Sequence, residues 1–324
     1  MKDLAGRIAV ITGGGTGMGR ELARQLVAEG CNVAMCDVSA PAMAETKRLC
    51  EVERLPQGLR ITTHVADVSN EDDVKRFAAE VARQQDTDKI HLLFNNAGIG
   101  GGGSMIMHER GEWERTFNIC WFGVYYSTRA FLPMMLKADK GHIVNTSSVN
   151  GFWASVGPMV PHTAYCAAKF AVKGFSEALQ TDLRLNAPHI KCSVVMPGHI
   201  GTSIITNSRK IQAGHDSPDF TPKELAQMRA RVASMGVDVA KLSDEDIGKL
   251  AHERARRFLE DAPTTAAEAA RIILDGVKTE RWRILVGTDA EKIDRLVREA
   301  PEQAYDLDFF RTLAKEVGWK LGAN

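Results

Sequence analysis

The chain has no surplus of charge: 41 basic and 41 acidic residues cancel over 324 positions. That balance removes the broad field that draws proteins to nucleic acid or to an anionic membrane. Long apolar runs are missing too, and none approaches the ~20 residues needed to span a bilayer. The opening stretch MKDLAGRIAVITGGG has too short an apolar segment, and no cleavage-like site, for a secretory leader. The six cysteines (Cys31, Cys36, Cys50, Cys120, Cys166 and Cys192) show neither C-x-x-C nor paired metal-ligand spacing. They read as reduced core thiols, which points to the cytoplasm. Nine histidines form no H-E-x-x-H or similar cluster, so no metal site is expected. Repeats, low-complexity tracts and linkers are absent as well. What remains is ordinary globular composition, 44% hydrophobic and 25% charged. The length suits one large α/β domain or two small ones.

Residues 7–12 are a short apolar run that reads as a buried strand. Gly13-Gly14-Gly15-Thr16-Gly17-Met18-Gly19 follows, and residues 20–29 read as a helix ending at Gly30. A strand, a glycine turn and a helix start make a phosphate site. Backbone N–H groups point outward, and Gly17 and Gly19 have no Cβ to hold a ligand away. The spacing is T-G-x-x-x-G-x-G rather than G-x-G-x-x-G. A second strand over 32–36 ends at Asp37, about 20 residues beyond the glycines, where an acid accepts hydrogen bonds from adenosine ribose hydroxyls. Asp37 would also repel a 2′-phosphate, and the positions best placed to neutralise one hold Thr16 and Val38. NAD(H) is therefore expected over NADP(H). A third strand over 60–64 runs into Asp67 and Val68, placed to touch the adenine or to make a plain turn. Ser69 reads as the cap of the helix that begins near Glu71. A fourth strand over 91–94 precedes Asn95-Asn96-Ala97-Gly98, small residues that permit close approach of backbone to a ligand. Gly100 to Gly103 read as a hinge-like loop.

A single long helix is expected over 109–137, with Asn118 on it and Trp113, Phe117, Trp121, Val124 and Tyr125 mostly on one side. A fifth strand over 141–148 ends in two serines, and Ser148 there points into the crevice at the strands' C-terminal ends. A sixth strand over 191–196 leads into Pro197-Gly198-His199-Ile200-Gly201-Thr202, and residues 283–286 read as a last strand. The strand–helix alternation predicts an α/β fold, a doubly wound parallel sheet of about seven strands with helices on both faces.

Thr163-Ala164-Tyr165-Cys166-Ala167-Ala168-Lys169-Phe170-Ala171 has four alanines and neither Gly nor Pro, so it reads as helix. Tyr165 and Lys169 then lie one turn apart on one face. The ammonium favours phenolate and is expected to pull the Tyr165 pKa below its reference of about 10. Such a phenol could donate a proton to a developing alkoxide or remove one from an alcohol.

The glycine turn from Thr12 to Gly19, Asn95-Asn96-Ala97-Gly98, Ser148, Tyr165-x-x-x-Lys169 and Pro197-Gly198-x-Ile200-x-Thr202 occur in order, each at its expected structural place. In this the chain resembles the short-chain dehydrogenase/reductase family, in its ordinary, non-extended branch. The resemblance covers roughly residues 5–205 and resumes around 263–290. It implies a Rossmann-type fold and NAD(H)-linked interconversion of a secondary alcohol and a ketone. The family's active tetrad maps to Ser148, Tyr165, Lys169 and Asn118. By that resemblance Tyr165 is the acid/base, Ser148 hydrogen-bonds the substrate oxygen, Lys169 holds the nicotinamide ribose and Asn118 supports a proton-relay water. Thr202 would contact the nicotinamide carboxamide, and Asn95 would help position the cofactor. Gly13, Gly15, Thr16, Gly17, Met18, Gly19, Asp37, Asp67, Val68, Ala97, Gly98, Pro197, Gly198 and Ile200 complete the expected cofactor contacts. Relatives pair through the helices that carry Asn118 and Tyr165, so a homotetramer is expected, or a dimer if other segments block an interface.

Two departures stand out. Sixteen residues separate Ser148 from Tyr165, more than the family usually has. The extra ones fall in an apolar loop with Phe152, Trp153, Met159 and Val160, which with Ile200, Ile204 and Ile205 suggests a bulky, apolar substrate. Residues 203–262 form a long insertion with helices expected over 222–235 and 243–260, the second with a capping box at Ser243 and Asp246. The insertion reads as an enlarged substrate lid or a subunit contact within a single domain of residues 1–324. Thr265 caps a helix running to Lys278, and residues 289–324 form a C-terminal extension whose aromatics pack on a neighbouring surface. Two other functions compete: an extended-type sugar-nucleotide epimerase or dehydratase, and a non-catalytic nucleotide-binding regulator. The glycine spacing and the N-N-A-G segment argue against the first, the intact Ser–Tyr–Lys set against the second.

Overall fold

The computed structural model describes residues 1–52, 58–157, 160–234 and 238–317. In chain order its strands are β1 (Ile8–Thr12), β2 (Asn32–Asp37), β3 (Ile61–Val65), β4 (Leu92–Asn95), β5 (Gly141–Thr146), β6 (Ile190–Pro197), β7 (Ile200–Gly201), β8 (Thr264–Thr265) and β9 (Arg283–Val286). The helices of the first half are α1 (Gly17–Ala28), α2 (Ala40–Val52), α3 (Glu71–Gln85), α4 (Arg110–Phe117), α5 (Gly123–Met135) and α6 (Thr163–Asn186). Those of the second half are α7 (Ile204–Ala213), α8 (Pro222–Ser234), α9 (Asp244–Glu260), α10 (Ala266–Lys278), α11 (Thr288–Glu299) and α12 (Leu307–Val317).

The seven-stranded sheet has the order β3-β2-β1-β4-β5-β6-β9, all parallel. Its central strands are rich in Val, Ile, Leu and Ala, because both faces are covered: every residue of β4 and β5 and all of β1 but Ile8 are buried. One face packs Leu22 and Leu26 of α1 against Ile273, Leu274 and Val277 of α10. The other packs Phe77, Phe131, Met135, Leu179 and Leu183 of α3, α5 and α6. Burying each such side chain stabilises by about 1.5–3 kcal/mol. The strand order reverses between β1 and β4, so a crevice opens at the C-terminal edge there.

Three local expectations are corrected. The helix over 109–137 is not uniform: α4 and α5 are joined by a π-helical turn, Asn118–Phe122, in which Gly123 N–H bonds to Asn118 O. A π turn inserts one residue and rotates the face of the helix that follows, which is why a single α-helical stripe does not describe it. The cap of α3 is Asn70 and not Ser69. Asn70 Oδ1 accepts from the backbone of Asp72 and Asp73, while Ser69 is tied to Asp67 Oδ1. Trp153 does not line an open pocket. It is fully buried, donates through Nε1 to Ala304 O at 2.8 Å and packs on Phe309 and Phe310 of α12. The C-terminal aromatics thus cover the loop after β5, and Met159 lies outside the described residues.

The insertion leaves and returns through the small parallel pair β7–β8, in which Ile200 faces Thr264 and Gly201 faces Thr265. The capping box of α9 at Ser243 and Asp246 and the Thr265 cap of α10 both form. Among the described residues, no helix is long and apolar enough to cross a membrane.

Candidate active site

The glycine turn is built by close approach. Gly13 has φ +68°, and a Cβ there would come within 2.8 Å of Ala97 Cα; one on Gly19 would lie 2.0 Å from Gly13 O. α1 begins at Gly17, so Gly17, Met18 and Gly19 form its first turn and its N–H groups open onto the crevice. Thr12 Oγ1 accepts from the backbone of Asn96 and Ala97 at 3.0 and 3.1 Å. Asn96 Nδ2 donates back to Thr12 O and Gly13 O, both at 3.2 Å. The run Asn95-Asn96-Ala97-Gly98 is therefore a latch that pins the end of β4 to the glycine turn. Asn96 was not singled out by its sequence; its signal is an amide directly opposite the strand end that carries the glycines.

Asp37 closes the adenosine side. Its Oδ2 accepts from Gly15 N at 3.0 Å and its Oδ1 from Ser39 N at 3.0 Å. A cation lies on the same turn, with no motif to mark it in the sequence: Arg20 donates through Nη2 to Gly15 O at 2.7 Å and through Nε to Thr46 Oγ1 at 3.1 Å. Asp67 takes the turn role, and Val68 is buried with its side chain beside Gly123 of α5. Asn95 is likewise a core residue. Its Nδ2 donates to Thr128 Oγ1 and to Asn145 Oδ1, and Asn145 Nδ2 donates to Ser176 Oγ, so one buried polar chain ties β4 and β5 to α5 and α6. Its amide holds the sheet beneath the crevice.

β5 and α6 bring the reactive groups together. Ser147 Oγ donates to Lys169 O at 2.7 Å, which locks the end of β5 to α6. Ser148 follows with extended backbone, and its Oγ accepts from Asn150 N at 3.1 Å. Lys169 is 2% exposed, donates from Nζ to Thr146 O at 2.8 Å and lies 5.4 Å from the centre of the Tyr165 ring. A Cβ on Gly98 would be 3.5 Å from Lys169 Nζ, so this glycine keeps the ammonium's approach to the crevice open. The π turn with Asn118 at its head packs against α6.

The electrostatics reverse one expectation. The Tyr165 phenol is held above its ordinary value, chiefly by burial, while a hydrogen bond with Ser148 pulls the other way. Burial also holds the Lys169 ammonium below its ordinary value. The lysine does not lower the phenol here, because both groups are desolvated and Lys169 is aimed at a carbonyl. Burial pushes the neighbouring Cys166 thiol up to about 12, so it is a core thiol and no nucleophile.

The far wall is the loop after β6. Pro197 ends the strand, Gly198 donates to Val286 O at 3.0 Å, and His199 N donates to Asp289 Oδ2 at 2.6 Å. Ile200 is buried, and the methyl of Thr202 stands 3.1 Å from where a Cβ on Gly17 would be. Above the crevice runs α7. Asn207 Nδ2 donates to Thr16 Oγ1 at 3.0 Å, Gly100 N donates to Ser208 Oγ at 2.8 Å, and Gln212 Nε2 donates to Thr116 Oγ1 at 2.9 Å. The Gly100–Gly103 segment is held rather than free, since Gly103 O accepts from Thr163 N at 2.9 Å. Thus Ser148, Tyr165 and Lys169 come together at the end of β5, the π turn that begins at Asn118 packs against the same helix, and Asp67, Val68 and Asn95 bond or pack within the scaffold.

Known proteins resemble this chain in sequence and fold. The family described as short chain dehydrogenase matches residues 7–213. The protein SadH of Mycobacterium tuberculosis is 32% identical over 298 residues, covering 92% of each chain. A short-chain dehydrogenase/reductase from Burkholderia phymatum, solved in complex with NAD, is 27% identical, with a TM-score of 0.74 over 94% of this chain and 98% of its own. A metagenomic short-chain oxidoreductase solved with NADP is 29% identical, with a TM-score of 0.52 over 60% of this chain and 83% of its own. With its seven-stranded parallel sheet, its glycine turn and its Ser–Tyr–Lys set, the chain belongs to the short-chain dehydrogenase/reductase family of oxidoreductases.

Proposed function

We propose that the protein interconverts a secondary alcohol and a ketone with NAD(H), using Tyr165 as the proton carrier. The observation that carries this reading is the convergence of Ser148, Tyr165 and Lys169 at the C-terminal edge of β5, against the glycine turn. The cradle fits a dinucleotide. Gly13, Gly15, Gly17 and Gly19 leave no side chain over the α1 N-terminus for a pyrophosphate, and Asp37 stands where ribose hydroxyls would donate. When bound, the nicotinamide supplies or accepts the hydride.

The chain's own residues manage the oxygen and its proton. In the reducing direction Tyr165 donates its hydroxyl proton to the oxygen as negative charge develops there, and Ser148 donates a second hydrogen bond to that oxygen. A phenol held above its ordinary value stays protonated at neutral pH, which suits it as the acid. Lys169 holds the ribose and, with Asn118 and a water, returns a proton to Tyr165. In the oxidising direction burial opposes the phenolate, so the rate should climb towards alkaline pH.

Asp37 favours NAD(H) through like-charge repulsion of a 2′-phosphate. Arg20 is already committed to Gly15 O and Thr46, so it does not offset that repulsion. Half-buried Ile204 and Ile205 beside buried Ile200 favour a bulky apolar substrate under the lid formed by α7. The exposed Phe170 and Tyr125 on α6 and α5 suit a homo-oligomeric contact. A panel of secondary alcohols with NAD and with NADP, followed by absorbance of the reduced nicotinamide, tests the reading. Turnover with NAD and weaker turnover with NADP is expected. Asp37→Ser should narrow the gap, because the like charge facing a 2′-phosphate is gone. No turnover with either cofactor would refute the reaction, and a preference for NADP would remove the role given to Asp37.

A further inference from the structure

Two polar side chains of the π turn could act on Tyr165 and Lys169, and they stand on different faces. α4 runs straight into that turn, Asn118–Phe122. Thr116 and Cys120 are about one turn apart and share a face, whereas Asn118, two residues from each, lies on nearly the opposite side.

The contacts show which face meets the site. A Cβ on Gly101 would lie 3.3 Å from Thr116 Oγ1, and one on Gly98 would lie 3.6 Å from Cys120 Sγ. That same Cβ would be 3.5 Å from Lys169 Nζ, so the thiol and the ammonium meet across one glycine. Cys120 is fully buried, and its Sγ donates to Ile99 O at 3.2 Å. The turn is thereby tied to the loop after β4 at the point where that loop passes Lys169. A thiol is a compact, weak donor. With its proton on Ile99 O it sets no carbonyl or carboxylate against the ammonium, which bonds Thr146 O and keeps its other protons for a ligand. Burial dominates the shifts of Tyr165 and Lys169, and in each the next influence is Cys120, which acts to raise both. Three further groups face the pair. Ser148 bonds Tyr165 from the end of β5, Cys166 on α6 acts to raise it, and His162 at the start of α6 stacks on its ring at 4.8 Å.

We propose that Cys120 is the π-turn residue that acts with Tyr165 and Lys169, as a positioning residue that holds Gly98 and Ile99 where Lys169 can reach a ligand past them. The proposal rests on the reading of Tyr165 as the proton carrier and moves one place in it, from Asn118 to Cys120.

The test uses the full chain, NAD and the secondary alcohol of the panel that is oxidised fastest, with kcat followed against pH. Cys120→Asp sets a carboxylate beside the pair and should move the alkaline midpoint of kcat up by about one unit or more. Asn118→Asp should leave that midpoint in place, whatever it does to the rate, because its charge lies on the far side of the turn. A shift with Asn118→Asp equal to or larger than that with Cys120→Asp, or none with either, would overturn the proposal. Should the buried carboxylate prevent folding, two milder variants decide. Cys120→Ala leaves Ile99 O without its donor and should lower kcat by about 3- to 10-fold, and Cys120→Ser, whose hydroxyl donates again, should recover most of that loss. No loss in Cys120→Ala, or an equal loss in both, would overturn the proposal. Tyr165→Phe is run in the same assay. Near-normal turnover there sinks the reading of Tyr165; lost turnover there beside silent Cys120 variants sinks the role of Cys120 alone.

Discussion

The half of the molecule that carries the glycine turn and the insertion above it are held together by different physics. In the first, β4 and β5 are buried end to end and β1 in all but Ile8, and the functional groups are fixed by short bonds to backbone: Thr12 to Asn96 and Ala97, Ser147 and Thr146 to Lys169. In the insertion few residues are buried, among them Ser208, Ile247 and Gly248, and the joints are ion pairs such as Arg209–Glu224 and Arg229–Asp244. Apolar burial and backbone bonding hold geometry to a fraction of an ångström and tolerate salt; partly exposed charge pairs do neither. The difference assigns the two regions their work. Chemistry belongs on the rigid half, and selection of a ligand belongs to the part that can adapt.

The sharpest break in that contrast is Lys169→Ala. It removes the ammonium beside Tyr165 and leaves Thr146 O without its donor. Activity should fall by about 10²–10⁴-fold, and the KM for the cofactor should rise because the ribose loses a donor. Steady-state kinetics with the cofactor varied checks both. An unchanged cofactor KM would remove the ribose role and leave only the proton.

Acid should separate the two regions by pH. Burial depresses His142, at the start of β5, from 6.5 to about 3. Its folded state therefore binds its proton later than the unfolded chain does. The stability it lends is complete above 6.5 and drains away as pH falls towards 3, at about 1.4 kcal/mol for each unit of pKa difference. Glu224 follows a lower window. Burial raises it, but the bonds from Arg209 and Thr221 outweigh that and hold it at about 2, so its contribution is present above 4.5 and lost below. Calorimetry from neutral to mildly acid pH should show a falling Tm that His142→Gln makes shallower down to pH 4.5, the remaining fall belonging to His64, His91 and His199, which burial also depresses. Parallel falls in both proteins would place the acid sensitivity elsewhere.

A smaller effect is expected from Arg209→Ala, which releases Glu224 and the turn at residues 217–219. The local cost should be about 1–3 kcal/mol. It should appear as faster amide exchange in α7 and α8 with β1 and β5 unchanged. Faster exchange throughout would mean that the insertion and the sheet unfold as one unit.

The same contrast explains what was legible beforehand. Strands of uniform apolar residues, glycines fixed by positive φ and close approach, and the caps at Ser243 and Thr265 are local signals, and the structure carries them as expected. The β7–β8 pair is not local: two residues after Pro197 meet two more than sixty positions later, with no pattern of their own. The π turn at Asn118 escapes a reading based on a fixed helical period. Trp153 was ambiguous because a buried aromatic and a pocket aromatic look alike until the α12 helix that covers one of them is placed. The direction of the Tyr165 shift needed the depth of burial, which spacing on a helix does not contain.

The central claim is that Tyr165 moves the proton from a site whose ligand-holding parts do not depend on it. Tyr165→Phe keeps the ring, the packing and every glycine contact, and deletes one hydroxyl. Turnover and NADH affinity measured on that variant test the claim most directly. The account predicts unchanged NADH binding with kcat lowered by about 10²–10⁴-fold. Turnover close to wild type would contradict it.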